Sequence, residues 1–314
     1  MLANLTPYIT PTELINGPTG LDWSSIPTRN ASALAQLAEQ TQICWRVTDR
    51  IDELAEQVLR ATVDTETQRG PDFYLTVDMS TQEGKFLTSR WPILAVLSGQ
   101  WCYSATYPPV WTAIAANQFL VDDIQGYLGS AGPGGSGAGA NRIMIAPGNV
   151  DWSAGRNGFR VQVMYINGWP NCGITASIAK PNGPASGDST IHVDDICGWG
   201  TQAAGIAGKC YDGASTEGIV VTSVTPDTVG ANSGPGLLNL SAALGSAHTL
   251  GVRVSSQPAT LQQAALNLAT AYGRMRGATA VAAQSGRATV TAGKSTEELQ
   301  IEAEEIISKY ARII

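Results

Sequence analysis

Apolar positions recur at alternating steps of three and four from Ala31 to about Arg60, through Leu34, Leu37, Thr41, Cys44, Thr48, Ile51, Ala55 and Val58. This is the stripe of an amphipathic helix. Asn30 stands at the N-cap position and no Gly or Pro interrupts the run. The pattern predicts one helix of roughly 45 Å at 1.5 Å per residue, or two shorter ones broken near Cys44 to Thr48. After Gly70-Pro71 the period changes to two. Phe159, Val161, Val163 and Tyr165 alternate with Arg160, Gln162 and Met164, and Ile219, Val221 and Ser223 with Val220, Thr222 and Val224, as half-buried strands do. Shorter strands are predicted at 73–77, 93–97, 143–146, 174–178, 190–193, 237–240 and 249–255. Such spacing favours a sandwich or small barrel over βαβ units. Helical spacing returns after Pro258, with Leu261, Ala264, Ala265, Leu268, Tyr272 and Met275 on one face and Arg274, Arg276 and Gly277 as a basic last turn and C-cap. A last helix is predicted from Ser295, where Glu298 completes a capping box and Leu299, Ala303, Ile306, Ile307 and Tyr310 share a face.

Ahead of the first helix, residues 1–27 hold Thr-Pro and Pro-Thr dipeptides and the turn-like run 16–20. They read as an extended, irregular arm anchored by Tyr8 and Trp23. The glycine-dense stretch 129–140 reads as a flexible loop that orders on a partner, because it lacks the flanking strand and helix and the Lys-[Ser/Thr] of a phosphate cradle. The helices cannot bury their stripes alone. The expected fold is therefore α+β: the N- and C-terminal helices pack as a small helical domain, residues 28–70 plus 258–314, around a large antiparallel sandwich- or barrel-like β insertion at 71–257.

Composition narrows the chemistry. With 314 residues and 43% hydrophobic content, a sizeable core is available. The 19 basic against 26 acidic residues, net −7, argue against a protein that neutralises phosphates over its whole surface. His192 and His248, with Cys44, Cys102, Cys172, Cys197 and Cys210, form a thin catalytic inventory. An odd cysteine count without C-x-x-C suggests reduced thiols in a protein made in a cytosol. No secretory signal or long apolar run is apparent, so a soluble, unexported protein is expected. The run Ala292-Gly293-Lys294-Ser295 has Ala288 where a phosphate-binding loop needs its first Gly. Carboxylate pairs occur at Asp122-Asp123 and Asp194-Asp195, with Asp212 and Glu217 nearby in sequence. A glycosidase would need two carboxylates about 5 to 10 Å apart, whereas Asp-Gly turn chemistry accounts for the same residues. The eight Trp lie mostly beside Pro, Gly or Asp, as in Trp91-Pro92 and Gly198-Trp199-Gly200. Such rings cap β layers or anchor interfaces.

Several stretches resemble the head-to-tail adaptor (connector) proteins of tailed bacteriophages and prophages. They are Leu59 to Glu66 followed by Gly70-Pro71, Ile166-Asn-Gly-Trp-Pro170, and Thr190 to Asp195 leading to Gly198-Trp199. Tyr211-Asp-Gly213 with Glu217 and 219–224, Ala247-His248 with Gly251 and Val254, and the helix ending Arg274-Met-Arg-Gly277 continue the likeness. The closing Lys309-Tyr-Ala-Arg-Ile-Ile314 is similar to the adaptors' Pro-Tyr-Arg-Arg type of ending, from which Lys309 and Ala311 depart. The resemblance spans residues 28–314 in order, although the β insertion is larger than the minimal family pattern. It implies a non-enzymatic virion protein without cofactor, assembled in the host cytoplasm and placed at the neck. The implied assembly is a homo-oligomeric ring, usually of about twelve copies, between the portal protein and a tail terminator or stopper, with DNA passing through and no membrane involved. Interface candidates are Arg274, Arg276, Tyr310, Arg312, Ile313 and Ile314. Two other readings stay open: a glycan-binding tail, baseplate or fibre protein using the Trp-rich β section, and a polysaccharide hydrolase using Asp194, Asp195 or Glu217.

Overall fold

The computed structural model describes residues 6–28, 32–70, 74–78, 80–103, 108–122, 142–146, 150, 152, 158–202, 204–280 and 294–311. The chain opens with α1 (Pro11–Asn16), β1 (Leu21–Asp22) and α2 (Ala33–Ala55). Then come β2 (Thr62–Gly70), β3 (Leu75–Asp78), β4 (Glu83–Leu87), β5 (Ile93–Tyr103), β6 (Thr112–Ile114), β7 (Phe119–Asp122), β8 (Arg142–Ile145) and β9 (Phe159–Asn167). A second run holds β10 (Asn171–Gly173), β11 (Thr190–Val193), β12 (Ile206–Tyr211), β13 (Glu217–Pro226), β14 (Gly236–Leu240) and β15 (Arg253–Ser255). Last are α3 (Ala259–Met275), β16 (Thr279–Ala280) and α4 (Thr296–Ile307). The protein is of the mixed α+β class.

α2 is a single helix of 23 residues, and its N-cap is Ser32, whose hydroxyl accepts from the Ala35 amide at 3.2 Å. Asn30 lies outside the described residues. The helical segment does not run to residue 70. Thr62–Gly70 alternates in burial and pairs with β9 along its whole length, because the β-branched residues Val63, Thr65 and Thr67 suit a pleated edge and break the helical period. The helical domain's first part thus ends near Leu59.

The expectation of an extended arm is also corrected. Thr10 and Glu13 form a reciprocal capping box that starts α1, with Pro11 in its first turn. Tyr8, Ile9, Leu14, Leu21, Trp23 and Ile26 are buried in the same core as Ile43, Val47 and Ile51 of α2, Leu261, Ala265 and Leu268 of α3, and Ala303 and Ile307 of α4. The arm's apolar residues are too many to leave in water, at about 1.5–3 kcal/mol for each large side chain buried. Gly277, at φ 87°, lets α3 end in a Schellman turn, with Ala278 N–H bonded to Gly273 C=O and Gly277 N–H to Arg274 C=O. α4 begins with the expected box of Ser295 and Glu298.

Between the two parts of this helical unit lie two β bodies. The first is a sandwich of sheets ordered β2-β9-β5-β6 and β3-β4-β8-β7, packed around Phe86, Trp101, Trp152, Phe159 and Tyr165. The second is a sheet ordered β10-β15-β12-β13-β14-β11 whose edges meet. Ile174 bridges Val193, with Asp194 N–H bonded to Gly173 C=O at 3.0 Å and Thr175 N–H to His192 C=O at 2.9 Å. The sheet therefore closes as a barrel filled by alternate residues such as Ile191, Val193, Val221, Leu238 and Val254. Residues 175–178, expected as strand, form none, while β4, β6, β7 and β12 were not legible in the alternation. The 129–140 loop lies outside the described residues.

Candidate functional site

The end of the described chain is seated where the helical unit meets both β bodies. Trp91 precedes β5 and Trp169 precedes β10, and their rings meet edge-on at 5.9 Å. Tyr310 stacks on Trp91 at 6.3 Å and meets Trp169 edge-on at 5.4 Å. Its hydroxyl bonds Thr260 of α3 at 2.6 Å, and its carbonyl accepts from Gln57 Nε2 at 2.8 Å. Trp91 Nε1 donates to the Ala311 carbonyl at 3.1 Å, and the Trp91 amide donates to Gln57 Oε1 at 3.2 Å. Gln57 and Trp91 thus hold the backbone carbonyls of residues 310 and 311, while Thr260 and the two Trp rings hold the Tyr310 side chain. Burial pushes the Tyr310 phenol above its ordinary pKa.

This arrangement redistributes the interface candidates. Tyr310 is 7% exposed and spent on an internal seat. Arg312, Ile313 and Ile314 lie outside the described residues. Arg274 is bonded through Nη1 to the Lys294 carbonyl. Arg276 is partly exposed and within 3.7 Å of Glu39, a weak pairing at a surface.

A second cluster escaped the sequence reading. Arg253 is fully buried among Val252, Val254 and Ser255. Its Nε and Nη2 fork onto both Glu13 oxygens at 3.0 and 2.8 Å, its Nη1 donates to Asn171 and Gln257, and its guanidinium lies 4.1 Å from the Tyr211 ring centre. Burial alone would lower the Arg253 pKa, and the Glu13 carboxylate beside it more than offsets this, so the net shift is upward. The pair ties α1 to the barrel. The available signal was an Arg inside an otherwise apolar strand, which requires a buried partner, but nothing local named Glu13.

The carboxylates of the hydrolase reading are each engaged by their own partners. Asp194 accepts from Gly173 N–H at 2.7 Å and Thr6 hydroxyl at 2.8 Å, and Asp195 from Cys197 and Gly234 N–H at 2.9 and 2.8 Å. Burial raises both carboxyls above their ordinary pKa. Glu217 opens β13, whereas β11, just ahead of Asp194, pairs through Gly236 with Pro226 at the other end of β13. Glu217 instead accepts from His248 Nε2 at 2.7 Å and from the Gly245 and Ser246 amides, with Asp212 on the opposite side of the same ring at 3.2 Å. His192 lies between Thr175 and Asp227. A 410 Å³ groove beside α1 and a 290 Å³ hollow beside β13 are each lined by one carboxylate, Asp22 and Glu217 respectively.

Trp23, Trp91, Trp101, Trp152, Trp169 and Trp199 are buried, which removes them as stacking platforms for sugars. Lys294 pairs with Glu302 at 2.6 Å and Ser295 caps α4, so both are occupied by their own helix. All five cysteines are buried and free. Among the described residues no group of His, Cys, Asp and Glu is arranged for a metal ion, and no helix is long and apolar enough to cross a membrane. Comparison with protein-family models, curated proteins and solved structures finds no match to this chain.

Proposed function

We propose that this chain is a structural head-to-tail adaptor of a bacteriophage virion, acting as a ring-forming spacer between the portal and the next tail component. The observation that carries this reading is the seat of Tyr310. Residues 8–28, 32–59, 258–280 and 294–311 build one helical unit, and the carbonyls of Tyr310 and Ala311 are held by Gln57 and Trp91, with the Tyr310 hydroxyl on Thr260. A base fixed in this way suits docking into a partner, because little ordering entropy is lost in it on binding. Arg276, exposed at the end of α3, offers a second contact.

The net charge of −7 supports a passage role. A ring of such chains repels the phosphate backbone over most of its surface, so DNA passes without being held. The ring, its copy number, the portal and the terminator or stopper as partners, and the virion neck as the location are all parts of this proposal. Co-expression with a phage portal protein, followed by electron microscopy, tests the reading. A ring stacked on the portal is expected, and deletion of residues 312–314 should abolish the stacking while leaving the fold intact. A monomer that ignores the portal, or virions lacking the protein at the neck, would reject the proposal.

A further inference from the structure

The two faces of the sheet containing β2 and β9 differ in charge. Alternation directs Asp64 and Glu66 inward, where Asp64 accepts from Asn167 and Arg90, and Glu66 from Ser89 and Tyr165. Among the described residues the outer face carries Val63, Thr65, Thr67 and Arg69 from β2, Arg160, Gln162 and Met164 from β9, and Ser98 and Gln100 from β5. None of its residues is acidic, in a chain whose net charge is −7. The outer face of the other sheet, by contrast, mixes Asp78 and Glu83 with Lys85 and Arg142.

Arg69 and Arg160 stand directly opposite each other in register. Both are exposed. Neither guanidinium has a hydrogen bond or ion pair among the described residues. Like charges placed across a strand pair destabilise it, so an uncompensated pair in the open calls for an anion from outside. At its other end the face is closed by the barrel, where Ala61 and Ile166 pack on Cys197. At the arginine end Arg69 and Arg160 are exposed among the described residues.

We propose that this face binds the phosphodiester backbone of DNA, with the two guanidiniums on phosphates and the Thr and Gln side chains on phosphate oxygens beside them. Guanidinium forks match phosphate geometry, and Thr and Gln are common backbone donors that read no sequence. Gln162 already bridges Gln100 at 2.5 Å and Thr67 at 3.1 Å, which holds a flat row of polar groups. The inference rests on the adaptor reading for why DNA lies beside the chain. Two phosphates per copy make a weak, salt-sensitive contact, compatible with DNA that slides.

The test is fluorescence anisotropy of a labelled duplex of about 30 base pairs, titrated with the full chain at low ionic strength. Binding is expected to weaken with salt at a log-log slope of about −1.8, as two neutralised phosphates require. Arg69→Gln with Arg160→Gln should lower affinity at least tenfold and flatten that slope, while Arg46→Gln on the exposed side of α2 should leave both unchanged. The double variant should melt no lower than the parent, because repulsion is relieved. Absence of duplex binding, equal binding by the double variant, or capture of polyglutamate in place of the duplex would each overturn the inference. The portal-stacking experiment is read separately, so the adaptor reading can survive this failure.

Discussion

The barrel and the sandwich are neighbours in one chain, and they handle sheet edges and buried charge in opposite ways. The barrel removes its edges by joining β10 to β11 through Ile174 and Val193, and it admits one fully buried ion pair, Arg253 with Glu13. The sandwich leaves β2 as an edge strand and keeps its ion pair, Arg90 with Asp64, partly exposed. An edge that closes on itself needs no protection, whereas an open edge is kept apart from other chains by charge and twist. The barrel is thus tied to the helical unit by a buried ion pair, and the sandwich by Trp91 on Gln57, Tyr310 and Ala311.

The largest expected effect breaks that contrast at its strongest point. Arg253→Leu leaves Glu13 buried without a partner and should cost about 3–5 kcal/mol in urea unfolding, whereas Arg90→Leu should cost no more than about 1 kcal/mol. Equal losses would mean that the two bodies are anchored alike. Next in size are the two glycines that make room for tryptophans. A Cβ on Gly208 would lie 2.6 Å from the Trp199 ring, and one on Gly84 would lie 2.7 Å from Trp152. Gly208→Ala and Gly84→Ala should each cost about 1–3 kcal/mol by overpacking, and calorimetry will show whether the closed barrel is the less forgiving. In the helical unit, Ser295→Ala removes the α4 cap and should cost about 1 kcal/mol, visible as fraying in hydrogen exchange.

The smallest effect concerns pH. Burial raises the Asp195 carboxyl, so the folded barrel holds that proton more tightly than the unfolded chain does. Its contribution is complete below the unfolded value near 3.9 and is lost as pH rises through the higher folded value. Asp195→Asn keeps an acceptor oxygen for Cys197 and Gly234, so its stability relative to the parent should grow from about pH 4 to pH 7. A pH-independent difference would show that the carboxyl titrates as it does in the unfolded chain.

Much of the fold was legible because its signals are local. The stripe of α2, the alternation of β9 and β13, the capping box of α4 and the Gly277 cap each involve residues only a few positions apart. The packing of residues 8–26 was missed because Pro, Thr and Gly chemistry masked a six-residue helix and its buried neighbours. The strand at Thr62–Gly70 was missed because its apolar partner face is mostly supplied by β9, and its own inward residues are Asp64, Glu66 and Gln68. Of the site, Tyr310 was named from the ending it resembles, yet its burial against Trp91 and Trp169 depends on residues more than a hundred positions away.

The sequence by itself determined the long helices α2, α3 and α4, the clearly alternating strands such as β9 and β13, and the clearest caps, since period and capping act over one or two turns. Only the tertiary structure decided that the second sheet closes into a barrel, that Glu13 answers Arg253 across 240 positions, and that His248 sits against Glu217 while Gly173 and Thr6 sit against Asp194. Those outcomes depend on register and on desolvated partners, and neither is written in the neighbourhood of any single residue.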